Sequence, residues 1–208
     1  HAFQQIFMIN EEKDMNQVLI LIAGMPASGK TTFANYLSEE LHIPLVCKDK
    51  LKEIMWDRLQ YDATIRAETQ KFGGVAYDLS FHMIEELMKA GMPLIFESNF
   101  GAKCPETLEK LVETYDYPVL TFLFDGDVAA IHKRFVERDN SAQRHPGLRS
   151  HNRFDDLEQF MRAMAPCRDF AYRDKIIRVD STVLEQISYI SLRDEVHCFA
   201  AGIQKNLS

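Results

Sequence analysis

The chain has 208 residues, 46% of them hydrophobic and 26% charged, with a formal net charge of -7 at pH 7. That length suits one domain burying roughly 70% of its unfolded surface, and the charges are too mixed in sign to suggest a disordered chain. The acidic balance weighs against a dedicated nucleic-acid binder, whose phosphate partners require a surplus of Lys and Arg, and no apolar run approaches the ~18 residues of a membrane span.

Residues 1–16 read as a polar leader without the charged-then-apolar layout of a signal peptide, and His1 in first place implies an altered or missing natural start. Residues 17–208 are expected to form a single domain. Residues 17–23 (QVLILIA) are continuously apolar up to Gly24, the pattern of a strand buried on both faces. Beyond a loop, Phe33, Ala34, Leu37 and Leu41 share one helical stripe. Residues 44–47 form a second short strand ending at Lys48-Asp49. Residues 50–90 read as helical with an interruption at Gly73-Gly74, and Leu79, Met83, Leu87 and Ala90 are its expected buried stripe. Trp56, Phe81 and Met83 are read as core.

Residues 94–96 make a third strand ending at Glu97-Ser98-Asn99, and Pro105 opens a helix to Tyr115. Residues 119–124 are a fourth strand ending at Asp125, followed by a helix over 127–139 and a polar, basic stretch over 140–153. A helix from about Asp155, a fifth strand over 176–179 and a helical tail complete the chain. Short strands alternating with helices predict an α/β fold with an open, mostly parallel five-stranded sheet. Ligands of such sheets bind at the carboxyl ends of the strands.

Gly24-Met25-Pro26-Ala27-Ser28-Gly29-Lys30-Thr31 matches G-x-x-x-x-G-K-[ST] at every fixed position. The bare pattern arises by chance in roughly 1% of chains this long; its place between a buried strand and an amphipathic helix is the context that gives it meaning. Glycines let backbone N–H groups turn toward phosphate oxygens, and the helix start adds its positive end. Lys30 is placed to reach the outer phosphates of ATP and the Thr31 hydroxyl to bind Mg²⁺, with Thr32 completing the loop.

Here the residues resemble small P-loop kinases of the AAA-domain type, related to zeta toxins, chloramphenicol phosphotransferase and polynucleotide 5′-hydroxyl kinases. The resemblance implies a three-layer P-loop NTPase fold with a short basic lid at about 139–153. It also implies that Asp49 accepts the proton of a substrate hydroxyl; by its residue type alone Asp49 could equally cap the next helix. Lys52 stands where that family usually carries Arg. Residues 132–153 hold Lys133, Arg134, Arg138, Arg144, Arg149 and Arg153 against Glu137 and Asp139, a local charge of +4. They resemble a lid whose arginines, Arg134, Arg138 and Arg144 among them, neutralise charge during phosphoryl transfer. The strand end at 177–182 resembles the segment beside the nucleotide base in those kinases.

Glu97 closes the strand expected beside the P-loop strand and is a candidate, with Thr31, for holding Mg²⁺. Asp125 is read as structural. The expected function is transfer of the γ-phosphoryl group of ATP to a hydroxyl of a small-molecule or nucleotide-like acceptor. A nucleic-acid 5′-end kinase is the weaker alternative, and a nucleotide-dependent switch a third. Asn-Lys-x-Asp, Leu-Ser-Gly-Gly-Gln and a strand ending in Asp-Glu are all missing from the sequence, which weighs against GTPases, transporter ATPases and motors. Cys47, Cys104, Cys167 and Cys198 form no C-x-x-C pair and read as reduced thiols of a cytoplasmic protein.

Overall fold

A computed structural model of the protein describes residues 17–207, so the expected leader at 1–16 lies outside the described residues. In chain order the elements are β1 (Leu19–Gly24), α1 (Lys30–Leu41), β2 (Leu45–Cys47), α2 (Lys48–Leu59), α3 (Arg66–Lys89), β3 (Leu94–Glu97), α4 (Glu106–Tyr115), β4 (Val119–Asp125), α5 (Val128–Asp139), α6 (Leu157–Arg168), β5 (Lys175–Asp180) and α7 (Tyr189–Leu207). Short 3-10 turns at Pro146–Leu148 and Leu184–Gln186 punctuate the second half. The strands pair in the order β2-β3-β1-β4-β5, every neighbouring pair parallel.

Alternation along β1 divides the core. Leu19, Leu21 and Ala23 face a layer built on Phe81, Ile84, Met88, Leu108 and Val112 of α3 and α4. Ile20 and Ile22 face the opposite layer, with Phe33, Ala34 and Leu37 of α1 and Val196 of α7. Both faces of the strand are therefore covered, which is why its sequence is continuously apolar. The architecture is the three-layer α/β sandwich expected.

Two expectations about the long helical region need correction. The interruption falls at residues 60–65, not at Gly73-Gly74, which lie inside the 24-residue α3. Each glycine costs a helix about 1 kcal/mol, too little to end one whose next turns bury Ala76, Phe81, Ile84 and Met88. The break is made instead by Gln60 in the left-handed region (φ 51°) and by Asp62, which accepts from the Thr64 N–H (2.9 Å) and hydroxyl (2.6 Å) in a local turn. The expected stripe is also displaced by one residue: Leu79 and Met83 are each 42% exposed, while Ser80 and Ile84 are fully buried. Ser80 tolerates burial because its hydroxyl donates to the Ala76 carbonyl at 2.7 Å. Of the residues read as core, Phe81 is buried, Met83 is not, and Trp56 is half-buried on α2.

Candidate active site

The carboxyl ends of β1, β2 and β3 open on one cleft of about 270 Å³, walled by residues 26–32, the start of α2, Glu97 and Asn99, and the segment from α5 to Phe154. Gly24 turns the chain out of β1 at φ 131°, and a Cβ there would stand 2.1 Å from the Phe124 carbonyl oxygen of β4. The sequence demands glycine for that contact as much as for the torsion. Gly24 and Met25 lie beneath the loop, Met25 fully buried against Ile131, Phe135 and Phe160, and the cleft begins at Pro26. Gly29 occupies the N-cap of α1, so the orphan N–H groups of that helix start at the loop.

Lys30 folds back so that its ammonium donates to the Met25 carbonyl at 2.7 Å. Burial pushes it below the usual lysine range, against the pull of Glu97 and Asp49. The Ser28 hydroxyl is fully buried without a hydrogen-bond partner. A buried cation and an orphaned donor under a Gly-rich turn fit an anionic phosphate.

Glu97 lies beside Cys47 in the β2–β3 register. Its Oε2 accepts from the Thr31 hydroxyl at 3.3 Å and from the Cys47 thiol at 3.0 Å. A hydroxyl and a carboxylate are hard oxygen donors of the kind Mg²⁺ takes. Among the described residues no group of three or more His, Cys, Asp and Glu could cage a metal. Thr31 and Glu97 therefore fit a Mg²⁺ completed by phosphate oxygens and water.

Asp49 sits in the first turn of α2, whose N-cap position is Cys47, so it does not cap the helix. Its carboxylate pairs with Lys48 at 3.0 Å. Burial works to raise the Asp49 value, but Lys48, Lys30 and Arg144 together hold it below the ordinary carboxylate range. The Lys48 ammonium also rests 5.2 Å from the Tyr77 ring centroid. Lys48 escaped the sequence reading; its position immediately before Asp49 was the signal.

The basic segment divides by destination. Arg138, Arg144, Arg149 and Arg153 line the cleft, whereas Arg134 is not among the lining residues. Arg134 donates to the carbonyls of Ala27 (3.2 Å), Thr182 (2.8 Å) and Ser181, tying the phosphate loop to the chain after β5. Burial and Arg144 push Arg138 down to about 10, with Asp49 opposing. Asp139, counted from sequence only as a negative charge, is buried and accepts from Ser150 N–H and its hydroxyl (2.7 Å), drawing the two ends of the basic segment together. The 3-10 turn of this segment rests on α2 and the chain just after it: a Cβ at Gly147 would stand 2.7 Å from Trp56, Tyr61 donates to the Gly147 carbonyl at 3.5 Å, and His145 Nε2 lies 3.1 Å from Asp57. Asp125, on the far side of β1, is held by Arg168 at 2.8 Å.

The fold and cleft define a P-loop protein of the three-layer α/β class. Its AAA domain match spans residues 19–180, and the chain belongs to that family. A solved protein from Chloroflexus aurantiacus J-10-fl, described as a candidate kinase, shares 25% identity over 88% of this chain and 97% of its own, with a TM-score of 0.78. Shikimate kinase from Bacteroides thetaiotaomicron shares 17% over 92% and 98% (TM-score 0.50), and a gluconokinase from Sinorhizobium meliloti 1021 shares 13% over 92% and 95% (TM-score 0.51). No curated protein matches at a significant level. The resemblance to small P-loop kinases thus holds at the level of family and fold. No helix among the described residues is long and apolar enough to cross a membrane.

Proposed function

We propose that the protein is an ATP- and Mg²⁺-dependent phosphotransferase that moves the γ-phosphoryl group to a hydroxyl of a small-molecule acceptor. The observation that carries this reading is the meeting of Asp49 and the P-loop lysine in one cleft, with Lys30 lying within the electrostatic reach of Asp49. The loop and Lys30 hold the outer phosphates, and Thr31 and Glu97 would hold a Mg²⁺ that would supply charge neutralisation there. The acceptor oxygen, oriented by Asp49, forms its bond to the γ-phosphorus as the bond to the β,γ-bridging oxygen breaks and ADP departs. The hydroxyl proton passes to Asp49 and then to solvent. A carboxylate held below its ordinary value is a weak base, so its main contribution is orientation, with proton acceptance late in a loose transition state. Arg138 and Arg144 offset the charge that develops on the transferred group.

A small acceptor agrees with the shikimate kinase and gluconokinase that share the fold, each named for a small molecule. The free thiols of Cys47, Cys104, Cys167 and Cys198 agree with a reducing, cytoplasmic setting. The test is Asp49→Asn. The variant is expected to keep the thermal stabilisation given by Mg·ATP and to lose at least about a hundredfold in γ-phosphoryl transfer. Normal turnover by the variant would remove Asp49 from the mechanism; a wild-type protein that Mg·ATP does not stabilise would remove the kinase reading altogether.

A further inference from the structure

We propose that the acceptor is itself a small anion, carrying a carboxylate or phosphate group besides its reacting hydroxyl, and that Lys52 and Arg153 hold that group; this rests on the kinase reading above. The cations of the cleft sort themselves by what they already hold. Lys30 reaches the Met25 carbonyl, and Arg138, whose buried Nε has no partner, acts on Lys30 through its charge, so these two are assigned to the phosphate end. Lys48 is paired with Asp49, Arg144 donates to the Leu148 carbonyl at 3.0 Å beside Asp139, and Arg149 donates to the Ser141 carbonyl at 3.1 Å. Lys52 and Arg153 line the same cleft, and among the described residues neither side chain makes a hydrogen bond or ion pair.

Lys52 lies on α2 and Arg153 at the end of the basic segment, both half-buried and close enough for the charge of Arg153 to act on Lys52. Cations withdrawn from water without a partner are costly and call for a compensating anion. Lys52 registers the cost: burial, with the charges of Lys48, Arg144 and Arg153, pushes it down to about 8, and Asp49 alone opposes them. Thr69, the residue of α3 that reaches this wall, is uncharged. Mg·ATP at the P-loop end would leave these two cations unanswered, whereas a carboxylate or phosphate between them would meet both.

The lid decides the size of this ligand. Its turn sits on α2 through the Gly147–Trp56 contact and the His145–Asp57 pair, and Leu148 at the end of that turn lines the cleft together with Lys52 and Arg153. A compact metabolite would fit within that boundary.

The experiment titrates the protein, saturated with Mg²⁺ and a non-hydrolysable ATP analogue, with inorganic sulfate and separately with malonate, both dianions across the range used. Binding is followed by calorimetry at pH 7 and pH 9.5. Both anions are expected to bind alongside the nucleotide, about tenfold more weakly in Lys52→Met and in Arg153→Met. Wild-type affinity should fall from pH 7 to pH 9.5 as Lys52 loses its proton, and Lys52→Arg should restore affinity at both values. Anions that do not bind over the nucleotide, or bind regardless of both substitutions, would overturn this proposal and leave the kinase reading standing. A 5′-hydroxyl oligonucleotide that displaces sulfate with steep salt dependence would overturn it in favour of a polymer acceptor. Failure of the nucleotide analogue to bind would overturn both readings together.

Discussion

Glu97 illustrates how much of this cleft depends on single hydrogen bonds. One of its oxygens, Oε2, receives both the Thr31 hydroxyl and the Cys47 thiol. Burial, reinforced by Glu97, pushes that thiol up, so Cys47 stays a donor at working pH. The bond ties the Glu97 carboxylate to β2 through the same oxygen that the Thr31 hydroxyl reaches. Cys47→Ala should therefore let the carboxylate rotate and raise the Mg²⁺ concentration that half-saturates nucleotide-induced thermal stabilisation by about threefold. Cys47→Ser, which keeps a donor, should restore it. An unchanged Mg²⁺ requirement in Cys47→Ala would show that Glu97 is positioned by the strand register alone. This thiol was invisible as a functional group in the sequence, where the four cysteines read only as reduced. Its role comes from the pairing of residue 47 with residue 97, which no local pattern encodes.

At the scale of elements, legibility followed locality. The phosphate loop was readable because its ligand-facing groups are contiguous and bracketed by a strand and a helix whose patterns are strong. Asp49, Glu97 and Asp125 were readable as strand-end residues, since a short apolar run points to where the sheet stops. Arg134 was not: its three carbonyl partners lie up to 107 residues away in sequence and are chosen by packing. The buried stripe of α3 was misread by one position because Leu79 and Met83 imitate a core face while the true face contains Ser80. The docking of the Pro146–Leu148 turn on α2 was equally hidden, though it leaves a natural probe. Trp56 is the chain's single tryptophan and lies under Gly147. Gly147→Val should lift the lid turn from α2, shift Trp56 emission to the red and weaken binding of Mg²⁺ with the ATP analogue by about fivefold, the lower end of an overpacking cost. Unaltered emission in that variant would mean that the turn and α2 do not depend on this contact.

Across the whole molecule, a chain of net charge -7 concentrates cations in one cleft, an arrangement that serves an anionic ligand at the expense of the empty protein. Lys52 allows the sign to be worked out. Its folded value of about 8 lies below the model-peptide value of 10.5. Between those values the unfolded chain holds a proton that the folded protein has released, so this group makes stability rise with pH over that interval. Below about pH 8 the full penalty of a charged, half-buried Lys52 is present. Lys52→Met keeps most of the apolar stem and removes the charge. It should therefore unfold roughly a few degrees higher than the wild type at pH 7, with the gain shrinking by about half at pH 9.5. Sulfate in excess should close the same gap at pH 7 by stabilising the wild type and not the variant. Such a gain in stability joined to a loss of anion binding is the trade expected where a charge is kept for its ligand. A variant less stable than the wild type at pH 7 would instead make Lys52 a structural residue whose compensating contact lies within the protein.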